Sequence, residues 1–385
     1  MRALRGLAVT AAVCAGTAGI AVPAAAQAAP GKRGKLISVR PLANAAALPS
    51  AAANRAIAYT SEGVGGRKIV VTGTVAVPRG RAPRGGWPVL SWAHGTTGTA
   101  DACAPSADTA TGPAHDYLSI TEAYLDRWVS RGYAVVQTDY EGLGTPGGHP
   151  YMNGASEANT VLDVVRAARR VDHRIGRDWF VAGHSQGGQA ALYTAATSAN
   201  DVRLRGAVAI APGSNMSQTA VYVKSQHPGA EAALPFLFVL LNGANAADPT
   251  FVPEALLTAD AAPLAAAGRT SACLAQLRQM SAGLPLDKVF RPDADLTRFE
   301  SYYNSQEALG LTLNVPTLVA QGTADREVSP AATRNIVNDL CKRYDRIAYR
   351  TFDGADHRGS INASFETSLQ FTESLRQDAP TPTTC

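Results

Sequence analysis

Trp179-Phe180-Val181-Ala182 runs into Gly183-His184-Ser185-Gln186-Gly187, and Gly188-Gln189-Ala190-Ala191-Leu192-Tyr193-Thr194-Ala195-Ala196 runs out of it. A short apolar run of β-type residues, a Gly-x-Ser-x-Gly corner and a helix former follow one another in the order of a nucleophile elbow. That turn lifts a serine hydroxyl above the carboxyl end of a sheet. Glycine flanks the serine because a strained corner between strand and helix leaves little space for a β-carbon. The pentapeptide alone is weak, since small residues coincide by chance in a chain with 35 glycines. An ordinary crossover with an exposed serine is the bland alternative; the flanking elements and the partners downstream decide against it.

Outward from the corner, apolar runs at 87–92, 133–138 and 179–182 alternate with helical periodicity at 119–131 and 157–171. Strands alternating with helices predict a mostly parallel sheet covered on both faces. An early strand is expected at 68–77, and further strands at 206–210, 317–320 and 347–352. The gap between 210 and 317 is too long for a crossover or a structureless loop. It is rich in Ala, Leu and Pro and contains Leu234-Pro235-Phe236-Leu237-Phe238-Val239-Leu240-Leu241. The expected division is a core in two parts, 29–215 and 312–385, with a mainly helical cap at 216–311. Residues 29–53, rich in Ala, Pro and Gly, read as a loosely held leader.

The start reads as an export signal. Arg2 and Arg5 precede an apolar stretch at 6–22, and Ala26-Gln27-Ala28 fits a cleavage site. A permanent anchor is disfavoured because the stretch is short, Ala/Gly-rich and followed at once by that site. Val13 before Cys14 does not suit lipid attachment. The expectation is a secreted protein with residues 1–28 removed and no integral membrane association. Removal leaves Cys103, Cys273, Cys341 and Cys385, an even set that predicts two disulfides with three pairings open. With no Cys-x-x-Cys and no histidine at ligand spacing, no metal is expected. Cleavage lowers the formal charge from +4 to +2, which gives no footprint for nucleic acid. Lys32-Arg33-Gly34-Lys35 reads as a solvated end.

A serine hydroxyl needs an imidazole to take its proton and a carboxylate to orient that imidazole. In this fold the chain order is serine, acid, histidine. Past Ser185 only His227 and His357 occur. His227 falls at the start of the cap and reads as a surface residue, whereas His357 sits in a polar loop after the last strand. Asp325 follows the strand at 317–320 and is the expected acid; Glu327, Asp353 and Asp356 are its rivals. The oxyanion needs aligned N–H donors. Gln186 supplies one, and His94-Gly95-Thr96-Thr97-Gly98 supplies the other, with Thr96 preferred over Thr97. His94 reads as loop packing. Asp139-Tyr140-Glu141-Gly142 is expected to brace neighbouring loops rather than to act as a glycosidase acid pair.

Ser91-Trp92-Ala93-His94-Gly95-Thr96-Thr97-Gly98 with Cys103-Ala104-Pro105-Ser106, Asp139-Tyr140-Glu141-Gly142-Leu143-Gly144, His149-Pro150-Tyr151 and Gly183-His184-Ser185-Gln186-Gly187-Gly188 together carry a resemblance. With the tail around Asp325 and His357, they make the chain similar to the secretory lipase family of α/β-hydrolases, secreted fungal lipases and bacterial relatives. The resemblance implies the α/β-hydrolase fold, hydrolysis of carboxylic esters (often acylglycerols), no cofactor, and a helical cap forming the acyl pocket. It also implies the pairings Cys103–Cys273 and Cys341–Cys385.

The sequence therefore predicts an exported serine hydrolase with Ser185, His357 and Asp325 as its triad and an ester or lipid as its substrate. An esterase for small soluble esters, an acyltransferase and a noncatalytic hydrolase-like binding protein are the alternatives.

Overall fold

The computed structural model describes residues 33–385, so the export-signal reading of 1–28 lies outside the described residues. Among the described residues nine strands form one sheet. They are β1 (Leu36–Pro41), β2 (Ala51–Glu62), β3 (Lys68–Pro78), β4 (Trp87–Ala93), β5 (Ala134–Thr138), β6 (Ile175–His184), β7 (Arg203–Ile210), β8 (Thr317–Gly322) and β9 (Ile347–Phe352). Their order across the sheet is β1-β2-β3-β5-β4-β6-β7-β8-β9. From β5 to β9 every pair is parallel; β1, β2 and β3 form an antiparallel edge joined to β5. The sheet is thus mostly parallel, as expected, with an antiparallel edge that the alternation did not foresee.

That edge corrects the loose-leader reading of 29–53. Ala51–Glu62 is alanine-rich at its start and weak in β-propensity, yet it pairs along the length of β3. Arg33 is likewise not a solvated end: its Nε lies 3.0 Å from Asp163 Oδ2, whose side chain is fully buried.

Helices α1 (His115–Ser130), α2 (Gly154–Val171) and α3 (Gln186–Ala195) alternate with the central strands. Between β7 and β8 lie α4 (Met216–Lys224), α5 (Leu234–Ala247), α6 (Ala262–Thr270), α7 (Leu274–Met280) and α8 (Thr297–Ser305). Helices α9 (Pro330–Leu340), α10 (Gly359–Ala363) and α11 (Phe365–Arg376) complete the chain. α2 starts three residues before its expected position because Asn153 caps it, its side chain accepting the Ser156 N–H.

Burial follows this layering. Val161, Ala191 and Ile336 (from α2, α3 and α9) pack on one face of the sheet. Leu118, Tyr124, Phe365 and Leu369 (from α1 and α11) pack on the other. A third cluster, including Leu237, Phe238, Leu277, Phe299 and Tyr303, lies within α4–α8 and takes in Tyr151 and Met152 from the core. Ala230–Ala247 has the length and mean hydropathy (1.3) of a membrane span, but 61% of it is buried inside the molecule. It is the central helix of that third cluster.

Candidate active site

β6 ends at His184 and α3 begins at Gln186, so the whole turn falls on Ser185, whose φ is 59° and ψ −117°. A side chain rarely tolerates this conformation, and its cost of about 1–3 kcal/mol persists only where the surroundings fix it. Here they do. Ser185 N–H donates to Ile210 O at 2.9 Å, and Ser185 O accepts from Gln189 N at 3.1 Å and Gly213 N at 2.9 Å. The flanking glycines are dictated by contact. A β-carbon on Gly183 would stand 2.0 Å from Gly187 O, and one on Gly187 would stand 1.8 Å from Ala93 O.

Past the end of β9, His357 places Nδ1 2.8 Å from Asp325 Oδ2 in the loop after β8. Asp325 Oδ1 accepts the N–H groups of Glu327 (2.9 Å) and Val328 (2.8 Å), and Gln321 Nε2 donates to Oδ2 at 3.0 Å. Burial raises the Asp325 carboxyl, but the hydrogen bond and charge of His357, helped by the two backbone donors, outweigh it and hold it below the usual range. An ionised Asp325 accepts a hydrogen bond from Nδ1–H, so in the neutral ring Nε2 is the nitrogen free to accept. Nε2 lies 4.0 Å from Glu327 Oε2. Of the rivals, Asp353 accepts from Thr323 Oγ1 and Asp356 from Gly359 N, and neither bonds His357.

Ser185 and His357 line one cavity of about 790 Å³, with Gln186, Met152, Leu240 and Phe236. Among the described residues no hydrogen bond joins Ser185 to His357. Above Ser185 the space narrows between Thr96 and Tyr117 on the core side and Phe236, Leu274 and Arg278 on α5 and α7. His227 is exposed and borders the same cavity.

Gln186 is the first residue of α3, so its N–H has no partner within the helix and sits at the positive end of the helix dipole. Its side chain is held from below. Gln186 Nε2 donates to Glu157 Oε1 at 2.7 Å and lies 2.9 Å from His149 Nε2. Glu157 also accepts the Met152 N–H at 3.0 Å, and burial pushes its carboxyl up to about 8. Burial lowers His149 to about 3, so the ring is neutral and its Nδ1–H donates to Glu141 O at 2.9 Å. Gln186 and His149 belong to stretches singled out in the sequence, but Glu157 matches no catalytic pattern and nothing in the sequence joins the three side chains.

Thr96 Oγ1 lies 2.6 Å from Tyr151 Oη, and Gly95 N–H donates to Tyr117 Oη at 2.8 Å. Thr97 is buried outside the cavity lining and its carbonyl accepts Leu274 N–H at 2.8 Å. His94 is fully buried, packs against the tilted Tyr140 ring with centroids 4.2 Å apart, and is lowered by burial to about 4. Asp139 accepts Ser106 N–H at 2.8 Å, while Glu141 accepts Val64 N–H at 3.0 Å and pairs with Arg67 at 3.1 Å. These acids brace loops.

Two disulfides join Cys103 to Cys273, with Cα atoms 5.5 Å apart, and Cys341 to Cys385. The first ties the 96–103 loop to the start of α7, beside the Gly98–Cys273 bridge. As to metals, Asp108, His115 and Glu122 place their ligand atoms within 4.8 Å of one another, a grouping that no ligand motif in the sequence announces. His115 Nδ1 is hydrogen-bonded to Asp108 Oδ2 at 2.6 Å, a contact that raises the His115 pKa, and none of the three lines the Ser185 cavity.

A family model described as Serine aminopeptidase, S33, a hydrolase family, matches residues 114–359, and the chain belongs to that family. No curated protein matches by sequence. Among solved structures, a ligand-bound form of the rice cell wall degrading esterase LipA from Xanthomonas oryzae is 20% identical. It has a TM-score of 0.70 over 91% of this chain and 100% of that one. Lipase A of Candida antarctica in its closed state is 19% identical, with a TM-score of 0.75 over 91% of this chain and 84% of that one. At these identities the likeness is one of fold: this is an α/β-hydrolase, the fold the motif resemblance implied.

Proposed function

We propose that this member of the family hydrolyses carboxylic esters through an acyl-enzyme on Ser185. His357 Nε2 takes the Ser185 proton as Oγ attacks the ester carbonyl, and Asp325 holds the ring and offsets the imidazolium charge. The N–H groups of Gln186 and Thr96 receive the oxyanion; one such donor contributes about 3 kcal/mol to the transition state. His357 then protonates the departing alkoxide, and water activated by the same imidazole releases the acid. The observation that carries this reading is a backbone-strained Ser185 sharing one cavity with a histidine whose far nitrogen is held by a buried carboxylate.

An ester suits the site better than a peptide amino terminus. The cavity is bordered by Arg278 and Arg326 against Glu327, and Arg358, paired with Asp116, borders the narrow space above Ser185, a poor setting for an ammonium group. Met152, Met216, Phe236 and Leu240 on the cavity wall favour an apolar acyl group, so lipid esters are the preferred substrates. The α4–α8 segment acts as the cap that forms this acyl pocket. Two disulfides fit an exported enzyme working in an oxidising compartment.

Hydrolysis of a chain-length series of nitrophenyl esters, measured below and above the concentration where the substrate forms an interface, tests the assignment. Preference for medium or long chains with a rise at the interface supports lipid esters. Preference for acetate without a rise replaces them with small soluble esters.

A further inference from the structure

We infer that His184, the residue before the nucleophile, is a positioning residue that locks the oxyanion loop and the His357 loop to one another through a directed hydrogen-bond chain. The inference rests on the hydrolase reading above and adds a role to a residue that the triad does not use.

His184 is 1% exposed. Its Nε2 lies 2.9 Å from the carbonyl oxygen of His357, and its Nδ1 lies 3.1 Å from Tyr117 Oη. Tyr117 Oη in turn accepts the Gly95 N–H at 2.8 Å. Only one arrangement of protons satisfies every atom. A carbonyl oxygen can only accept, so Nε2 carries the hydrogen and donates to His357 O. In a neutral ring Nδ1 is then an acceptor, and it takes the Tyr117 hydroxyl proton. The Tyr117 oxygen, its hydrogen directed to His184, accepts from Gly95 N–H. The chain runs Gly95 N–H to Tyr117 O–H to His184 Nδ1, then His184 Nε2–H to His357 O.

The chain links four segments far apart in sequence: the loop after β4 that presents Thr96, α1 through Tyr117, the end of β6 that presents Ser185, and the loop after β9 that presents His357. The His184 and His357 rings also lie 4.5 Å apart between centroids. The groups around His184 keep it in the neutral form the chain requires. Burial is the largest influence, and the His357 ring and Arg358 add unfavourable charge, so protonation is pushed well below the ordinary range. Arg358 lies over the Tyr117 ring at 5.6 Å and pairs with Asp116 at 3.2 Å, which fixes the outer side of the chain. His184 touches no reacting atom. It sets where the oxyanion donors and the base stand relative to Ser185, and displacements of about 1 Å there can cost roughly 10²-fold in rate.

The test is ester hydrolysis by the full chain with His184→Phe, His184→Gln, Tyr117→Phe and the double variant His184→Phe/Tyr117→Phe, with melting temperature measured for each. Phenylalanine keeps the volume and the ring contact but removes both hydrogen bonds. Glutamine restores a donor toward His357 O. The expected result is a kcat loss of roughly 10²-fold in His184→Phe with KM within about twofold. His184→Gln should recover at least about tenfold of it, and the double variant should be little worse than His184→Phe because both changes break one chain. If His184→Phe keeps kcat within about twofold, or the two losses multiply in the double variant, the inference is overturned. A parent chain inert toward esters and toward a fluorophosphonate overturns instead the hydrolase reading beneath it.

Discussion

His357 Nδ1 stands 2.8 Å from Asp325 Oδ2, and the Asp325 side chain has no exposed surface. A buried carboxylate with three further donors has little freedom, so the imidazole inherits its orientation from β8 and the loop that follows. That separates the two tasks of the loop pair: one strand end fixes the acid, and the next presents the base.

Asp325→Asn should therefore misorient the ring and favour the wrong tautomer. The expected loss is roughly 10³–10⁴-fold in kcat, with folding retained because the amide still accepts from Glu327 and Val328. Steady-state kinetics at one pH checks this. A loss below about tenfold would mean that the Asp325 carboxylate is not what orients His357.

The Cys103–Cys273 link should matter to catalysis, and Cys341–Cys385 to stability alone. Removing either is expected to cost about 2–4 kcal/mol. Only the first ties the loop bearing Thr96 to the start of α7. Replacing Cys103 and Cys273 by alanine should lower both the melting temperature and kcat, whereas the Cys341/Cys385 pair of replacements should lower the melting temperature and leave kcat near the parent value. Equal kinetic effects from the two pairs would refute the distinction.

Glu157 gives a pH signature. Its folded carboxyl is pushed up to about 8 by burial, against an unfolded value near 4.5. Between these values the folded chain holds a proton that the unfolded chain has released, so this group's stabilisation is complete at low pH and is lost as pH rises through about 8. His94 and His149, lowered to about 4 and about 3, act in the opposite sense below their unfolded value, so the informative comparison is between parent and variant. Glu157→Gln keeps an acceptor for Met152 N–H and Gln186 Nε2. Its melting temperature should gain on the parent's progressively from pH 5 to about 8 and level off above that, as measured by a thermal denaturation series. Parallel curves would mean that Glu157 is not held protonated.

Gly187→Ala tests the elbow's packing. The added carbon would meet Ala93 O at 1.8 Å, and backbone on both sides leaves no flexible neighbour to give way. The expected cost is at least about 3 kcal/mol, the upper end of overpacking, with loss of activity. Thermal denaturation and turnover check it; a variant as stable as the parent would show that the corner relaxes more readily than its contacts suggest.

The elbow, the parallel strands and the residues that meet at the cavity were readable because each depends on local chemistry: glycines where backbone crowds, apolar runs where strands are buried on both faces, a polar loop after each. The antiparallel edge was not. Ala51-Ala52-Ala53-Asn54 has little strand character of its own, and only pairing with β3 makes it one. Likewise the Glu157–Gln186–His149 pedestal and the His184 chain join residues whose side-chain roles no motif spells out until folding brings them within 3.1 Å of one another. The Asp108–His115–Glu122 grouping escaped notice because its seven-residue spacings match no ligand motif.

The central claim is that Ser185 is the nucleophile, and active-site labelling with a fluorophosphonate, read by peptide mass spectrometry, tests it most directly. A single adduct on Ser185, absent in Ser185→Ala and strongly slowed in His357→Ala, is the predicted result. Undiminished ester turnover by Ser185→Ala, or an adduct on any other residue, would contradict it.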